Sequence, residues 1–185
     1  MGDHRGERDI DPTGQAPIYG AYGPKPEWRG RLHKYAFFVT LPAGLWLLAG
    51  AHTAAARVAV AIYWASLAGL FGTSASYHLF AHSERAVTWL RRADHSMIFV
   101  LIAGSFTPTA ILLLPDPWRW WSLAFMWGGA ACGIALKIVA LERFRRLGAA
   151  LYIVLGWAGL MAFPALWDRA PDQLWRVAIG ARATP

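Results

Sequence analysis

One cysteine, Cys132, stands in 185 residues, so a disulfide framework within the chain is excluded. Charge is scarce as well. Asp, Glu, Lys and Arg make up 16% of the residues, and the acids are the rarer sign, with eleven against eighteen Lys and Arg, for a formal charge of +7. Wholesale disorder needs low hydrophobicity and high charge. A chain that is 56% hydrophobic, with a mean hydropathy of +0.32, is the reverse case. A polar stripe is missing too. The long apolar segments are apolar almost all round, which argues against a soluble helical bundle. No signal peptide fits, because the apolar sequence begins near Tyr35, behind a tail far longer than a short basic leader.

The chain does contain five apolar runs, approximately Tyr35–Ala51, Arg57–Leu79, His95–Leu114, Arg119–Ala140 and Gly148–Trp167. Each has nearly the length that an α-helix needs to cross about 30 Å of hydrocarbon. The first contains Pro42, which membrane helices tolerate better than soluble ones. Polar breaks separate the runs at His82–Arg85, Pro115–Pro117, Glu142–Arg146 and Asp168–Asp172. The expectation is an all-α, polytopic transmembrane helix bundle. A polar tail over Met1–Lys34, rich in Gly, Pro and charge, is read as cytoplasmic and largely disordered. The transmembrane domain then runs from residue 35 to residue 185. A sixth run, Leu174–Ala181, is too short to span, so the chain reads as five full spans and a partial sixth, cut before the fold is complete.

The basic residues gather between the apolar runs instead of forming a stripe, which favours membrane loops over a nucleic-acid surface. With the N-terminus inside, thirteen Lys and Arg fall on the inner side and four (Arg57, Arg119, Arg169 and Arg176) on the outer. The positive-inside rule therefore predicts a cytoplasmic N-terminus in the inner or plasma membrane. Trp118, Trp120 and Trp121 mark an outer boundary, and Trp28 and Trp89 inner ones, as aromatic belts do. Membrane lipid is the expected partner, nucleic acid is not, and the small-residue helix faces suit a monomer or an oligomer.

Polar groups at membrane depth are costly, so each is a candidate for function. Ser74 and His78 are four apart and share one helix face, and Asp94 opens the third span at the same depth. A His and a carboxylate facing a bundle interior suit a divalent metal such as zinc. Plainer readings stand beside this one. Asp94 serves equally as an N-cap, Ser74 as a donor to its own backbone, and His78 as an interfacial side chain. His33 can approach the site but reads first as interfacial. His82 lies in a basic loop, and His95 points about 100° away from Asp94. Thr107-Pro108 reads as a kink whose freed carbonyl Thr107 helps to satisfy. The Gly129/Gly133 pair reads as a close helix contact, Lys137 as a snorkelling cation, and Cys132 as inert.

Ser74-Ala75-Ser76-Tyr77-His78 and Arg92-Ala93-Asp94-His95-Ser96-Met97-Ile98-Phe99 resemble the hemolysin III family, within the progestin and adipoQ receptor superfamily, which is similar also to alkaline ceramidases. Ile102 to Pro108 continue the likeness. Weaker echoes are Trp28-Arg29-Gly30 with His33, Trp127-Gly128-Gly129 with Lys137, and Tyr152 with Gly156-Trp157. The resemblance implies a seven-helix membrane fold with its N-terminus inside and a zinc site near the cytoplasmic leaflet. It implies His78 as a metal ligand, Asp94 acting through a metal-bound water, and Ser74 beside them, Asp94 and Ser74 being the catalytic candidates. It also implies two further ligands from a His-x-x-x-His motif on a seventh span, whereas no histidine follows His95 in this sequence.

The function so expected is metal-dependent hydrolysis of a lipid amide or ester. Two alternatives remain: a non-enzymatic membrane sensor or regulator with structural zinc, and a cytolytic protein. The last is the least favoured physically, because a pore needs a continuous polar face and these runs have few polar residues at mid-depth.

Overall fold

The computed structural model describes residues 27–140 and 145–162. Met1–Pro26, part of the Glu142–Arg146 break, and everything from residue 163 on, including the Asp168–Asp172 break and the partial sixth run, lie outside the described residues. Five helices follow one another: α1 (Glu27–Ala49), α2 (Ala54–Phe80), α3 (Glu84–Leu113), α4 (Trp118–Ala140) and α5 (Arg145–Ala158), the last continued by a 3-10 turn, Gly159–Ala162. The described residues contain no strand. The chain forms an all-α bundle in which α1 to α4 are long and apolar enough to cross a membrane. The fifth run is described only as far as Ala162.

The helices begin and stop where the local chemistry dictates. Thr53 caps α2 by accepting the Ala56 N–H (3.1 Å), and Ser83 caps α3 by accepting that of Ala86 (3.2 Å). The α3–α4 link holds Pro115 and Pro117, which cannot extend a helix by donating an N–H. Two helices start earlier than their apolar runs. α1 begins at Glu27, not Tyr35, and α3 at Glu84, not His95. Each extends beyond its hydrocarbon stretch by about two or three turns. Asp94 is therefore about three turns inside α3, and the N-cap reading of it is excluded, since Ser83 holds that role.

Links of three or four residues join α1 to α4 and force successive helices antiparallel. Side-chain contacts confirm it: His33 meets Ser74 while Thr40 meets Trp64, and Thr107 meets Trp127 while Phe99 reaches the level of Gly133. α3 is the central helix, packed on α2, α4 and α5. Its Phe99, Ala103, Phe106 and Ala110 form the main buried cluster with Met126 and Ala130 of α4 and Leu155 of α5. The periphery is apolar and exposed, as with Trp46, Val139 and Ile153, which is the pattern of a bundle whose solvent is lipid.

Aromatic residues mark both ends. Trp118, Trp120 and Trp121 are exposed where α4 starts. At the opposite end Trp28 and Trp89 are exposed beneath the guanidinium groups of Arg31 (5.8 Å) and Arg92 (5.2 Å).

Candidate functional site

The end of the bundle that holds the start of α1 gathers the polar groups. Ser74 is 3% exposed, and its hydroxyl shares a hydrogen bond of 2.7 Å with His33 Nδ1 across the α1–α2 seam. The other helical hydroxyls behave differently. Those of Thr40, Ser66, Ser76, Thr88, Ser96, Ser105 and Thr107 all donate to a carbonyl three or four residues back on their own helix. The reading of Ser74 as a back-bonded serine is therefore corrected: it bonds across to His33. His33, read first as interfacial, is half-buried and reaches Ser74 through the same contact. Its ring also lies 5.5 Å from that of Phe71.

His78, one turn beyond Ser74, is buried at 9% exposure, with its ring 4.9 Å from that of Tyr77. It faces α1 at a close approach of the two helices, where a Cβ added to Gly30 would lie 2.7 Å from its own Cβ. His78 therefore does not snorkel outward. Four residues on, His82 has the spacing of a helical metal pair. However, α2 ends at Phe80 and Ala81 is extended, so His82 leaves the helix face and is exposed.

Asp94 is half-buried on α3. Met97 packs against Gly69, so counting along the two helices brings Asp94 and Ser74 to heights that differ by about 3 Å. Asp94 lies close enough to Tyr152 of α5 for the two to interact electrostatically. Tyr152 donates its hydroxyl hydrogen to the His95 carbonyl (2.8 Å) and stacks on Phe99 (4.2 Å). Lys137 lies over the other part of this group, with Nζ 5.4 Å from the Tyr152 ring centre, and is only 3% exposed. Lys137 is therefore buried in the bundle and does not snorkel to the surface. His95 Nδ1 donates to the Arg91 carbonyl (2.9 Å), which turns it along its own helix and away from Ser74.

The result is a polar layer one or two turns deep with contributions from all five helices: His33, Ser74 and His78 on one side of α3, Asp94 on it, and Lys137 and Tyr152 on the other side. His52 is exposed near the opposite end, and Cys132 is exposed on α4. A model of the family described as "Haemolysin-III related" matches residues 23–181. The chain belongs to the haemolysin III family. Among relatives of this haemolysin III protein, "Hemolysin-3" of Bacillus cereus is 35% identical over 141 residues, which is 74% of this chain and 63% of the relative. The "Hemolysin-3 homolog" of Bacillus subtilis (strain 168) is 30% identical over 138 residues, 73% of this chain and 64% of the relative. The haemolysin III chain thus spans rather less than two thirds of the curated relatives it matches. No solved structure matches it.

Zinc needs three or four protein ligands. Among the described residues no group of three His, Cys, Asp or Glu is placed to hold a metal ion. His78 and Asp94 do not by themselves fit a zinc centre. Sequence reasoning gave His33 and Lys137 too little weight. Lys137 had a visible signal, a lone cation inside an apolar run. His33 had only its place in the weak Trp28-Arg29-Gly30 echo, because its partner depends on the register of α1 against α2.

Proposed function

We propose that this haemolysin III protein is a multi-pass membrane protein with a cytoplasmic N-terminus, and that its polar layer acts on the carbonyl of a lipid ester or amide. The observation that carries the reading is the His33–Ser74 hydrogen bond at membrane depth. Neutral His33 with its proton on Nε2 accepts the Ser74 hydroxyl hydrogen at Nδ1. The Ser74 oxygen is then an acceptor for a hydrogen of water, and Asp94, at nearly the same height, is a second one. A water held between these acceptors is positioned to attack a carbonyl that arrives from the surrounding lipid. Ser74 and Asp94 are the catalytic candidates, and His33 holds Ser74. Were zinc bound, His78 would be a ligand and Asp94 would act through a metal-bound water, with further ligands needed to close the site.

The test is reconstitution of the full chain in vesicles of mixed phospholipid and ceramide, with mass spectrometry of the lipids. The expected outcome is release of fatty acid, lost in Ser74→Ala and Asp94→Asn. Absence of any product from wild-type protein, with or without added zinc, sinks the hydrolase reading.

A second reading is a non-enzymatic membrane sensor or regulator with structural zinc. It predicts no turnover, together with binding of lipid that Ser74→Ala weakens. Cytolysis, the activity in the relatives' names, fits the geometry least. The polar groups form a layer across the bundle, not a line along it, as a pore would need. Dye release from vesicles by the purified protein checks this point.

A further inference from the structure

The described helices contain prolines in two places only, Pro42 in α1 and Pro108 in α3, the helices that flank α2. A proline inside a helix supplies no N–H to the carbonyl four residues back and crowds it, so the helix bends easily there. Both weak turns have the same companion. Trp64 of α2 donates its indole N–H to the Thr40 carbonyl (2.9 Å), two residues before Pro42. Trp127 of α4 donates its own to the Thr107 hydroxyl (3.2 Å), one residue before Pro108. In each case the threonine hydroxyl is also bonded to the turn before it, Thr40 to the Ala36 carbonyl (2.7 Å) and Thr107 to the Ala103 carbonyl (2.8 Å). The fit at Pro42 is tight, since any Cβ on Gly44 would overlap the Trp64 indole.

We infer that Trp64 and Trp127 are hinge locks, and that Trp64 is a positioning residue which, by clasping α1 at its proline, holds His33 against Ser74. His33 lies nine residues before Pro42, a lever of about 14 Å. A bend of about 20° at the proline carries it about 5 Å, well beyond the reach of the Ser74 hydroxyl. Release of the indole lets the α1–α2 seam part at the end that carries the polar layer while the opposite end stays packed. A seam that parts there gives a lipid sideways access to Ser74, which the closed bundle buries. This inference concerns the motion of α1 and holds whatever chemistry the layer performs.

Spin labels on the full chain in lipid nanodiscs test it, with Cys132→Ala to remove the native thiol. One pair, Leu32→Cys with Phe80→Cys, reports the seam at the polar end. The other, Leu45→Cys with Val58→Cys, reports the far end. All four sites are exposed. Trp64→Phe keeps the ring and removes the donor. It is expected to spread the polar-end distances by up to about 5 Å and to leave the far-end distances unchanged. Adding Pro42→Ala, which restores the missing helical bond, should bring the polar-end distances back. Gly44→Ala, which displaces the indole by steric overlap, should reproduce the spread if Trp64→Phe does not fold. An unchanged polar-end distribution, equal spreading at both ends, or no recovery with Pro42→Ala overturns the inference. None of these results bears on whether the layer hydrolyses lipid.

Discussion

At the scale of single residues, close approach governs the site. Gly30 allows α1 to lie against His78, whose Cβ is 2.7 Å from the place a Cβ would take. Gly30→Val meets first the root of the His78 side chain, which cannot swing away, and then the Leu79 side chain at 3.0 Å. The expected cost is about 1–3 kcal/mol, measured by denaturant titration in detergent, with loss of the His33–Ser74 bond seen in the histidine nitrogen shifts. Phe99 is fully buried and packs on Tyr152 and against Gly133. Phe99→Ala should cost about 3–5 kcal/mol in the same titration. His78→Ala should leave the fold intact and abolish any zinc that copurifies with the full-length protein. Zinc retained at the wild-type level removes His78 from the ligand set. The candidacy of Ser74, His78 and Asp94 was legible from their residue types and spacing. The part played by His33 was not, because no local pattern shows which residue of a neighbouring helix faces a given serine.

At the scale of elements, the two links at the end opposite the polar layer share a device. Arg57, in the first turn of α2, donates through Nε to the Ala51 carbonyl (3.0 Å) just past the end of α1. Arg119 donates through Nε (3.2 Å) and Nη2 (3.0 Å) to the Leu114 carbonyl at the end of α3, and Nη1 lies 3.6 Å from Asp116. A cation at a helix C-terminus meets the negative end of the dipole and satisfies carbonyls that have no helical partner. These two arginines were counted as outer charges that oppose the general bias. The structure gives them a local task instead. Arg119→Gln should lower stability by about 2 kcal/mol through loss of charge-assisted bonds, and increase hydrogen exchange at the last turn of α3 above that at its middle. The element boundaries were less legible than the elements. Hydropathy marks where a helix meets lipid, whereas α1 and α3 extend further as polar turns that hydropathy does not register.

At the scale of the whole molecule, the proposed orientation follows from where the cations lie. The end with the start of α1 carries Arg29, Arg31, Lys34, Arg85, Arg91 and Arg92 among the described residues, while Arg57 and Arg119 mark the other. A reporter fused at Met1 is expected to be active only in the cytoplasm, and Arg57→Gln with Arg119→Gln is expected to leave that result unchanged. The amino-acid sequence determined the class of fold by itself, because a bilayer leaves few options. Any run of about 20 apolar residues must close its backbone hydrogen bonds as a helix, and the basic loops bias its direction. The family was legible for a related reason, as its motifs sit on single helices where spacing survives in the sequence. Only the tertiary structure decided which polar groups meet. Lys137 is sequestered against Tyr152, His33 joins Ser74, and two indoles clasp two proline-weakened helices. Those pairings depend on the height and rotation of one helix against another. Packing of small residues and rings sets both, and no pattern along a single helix records them.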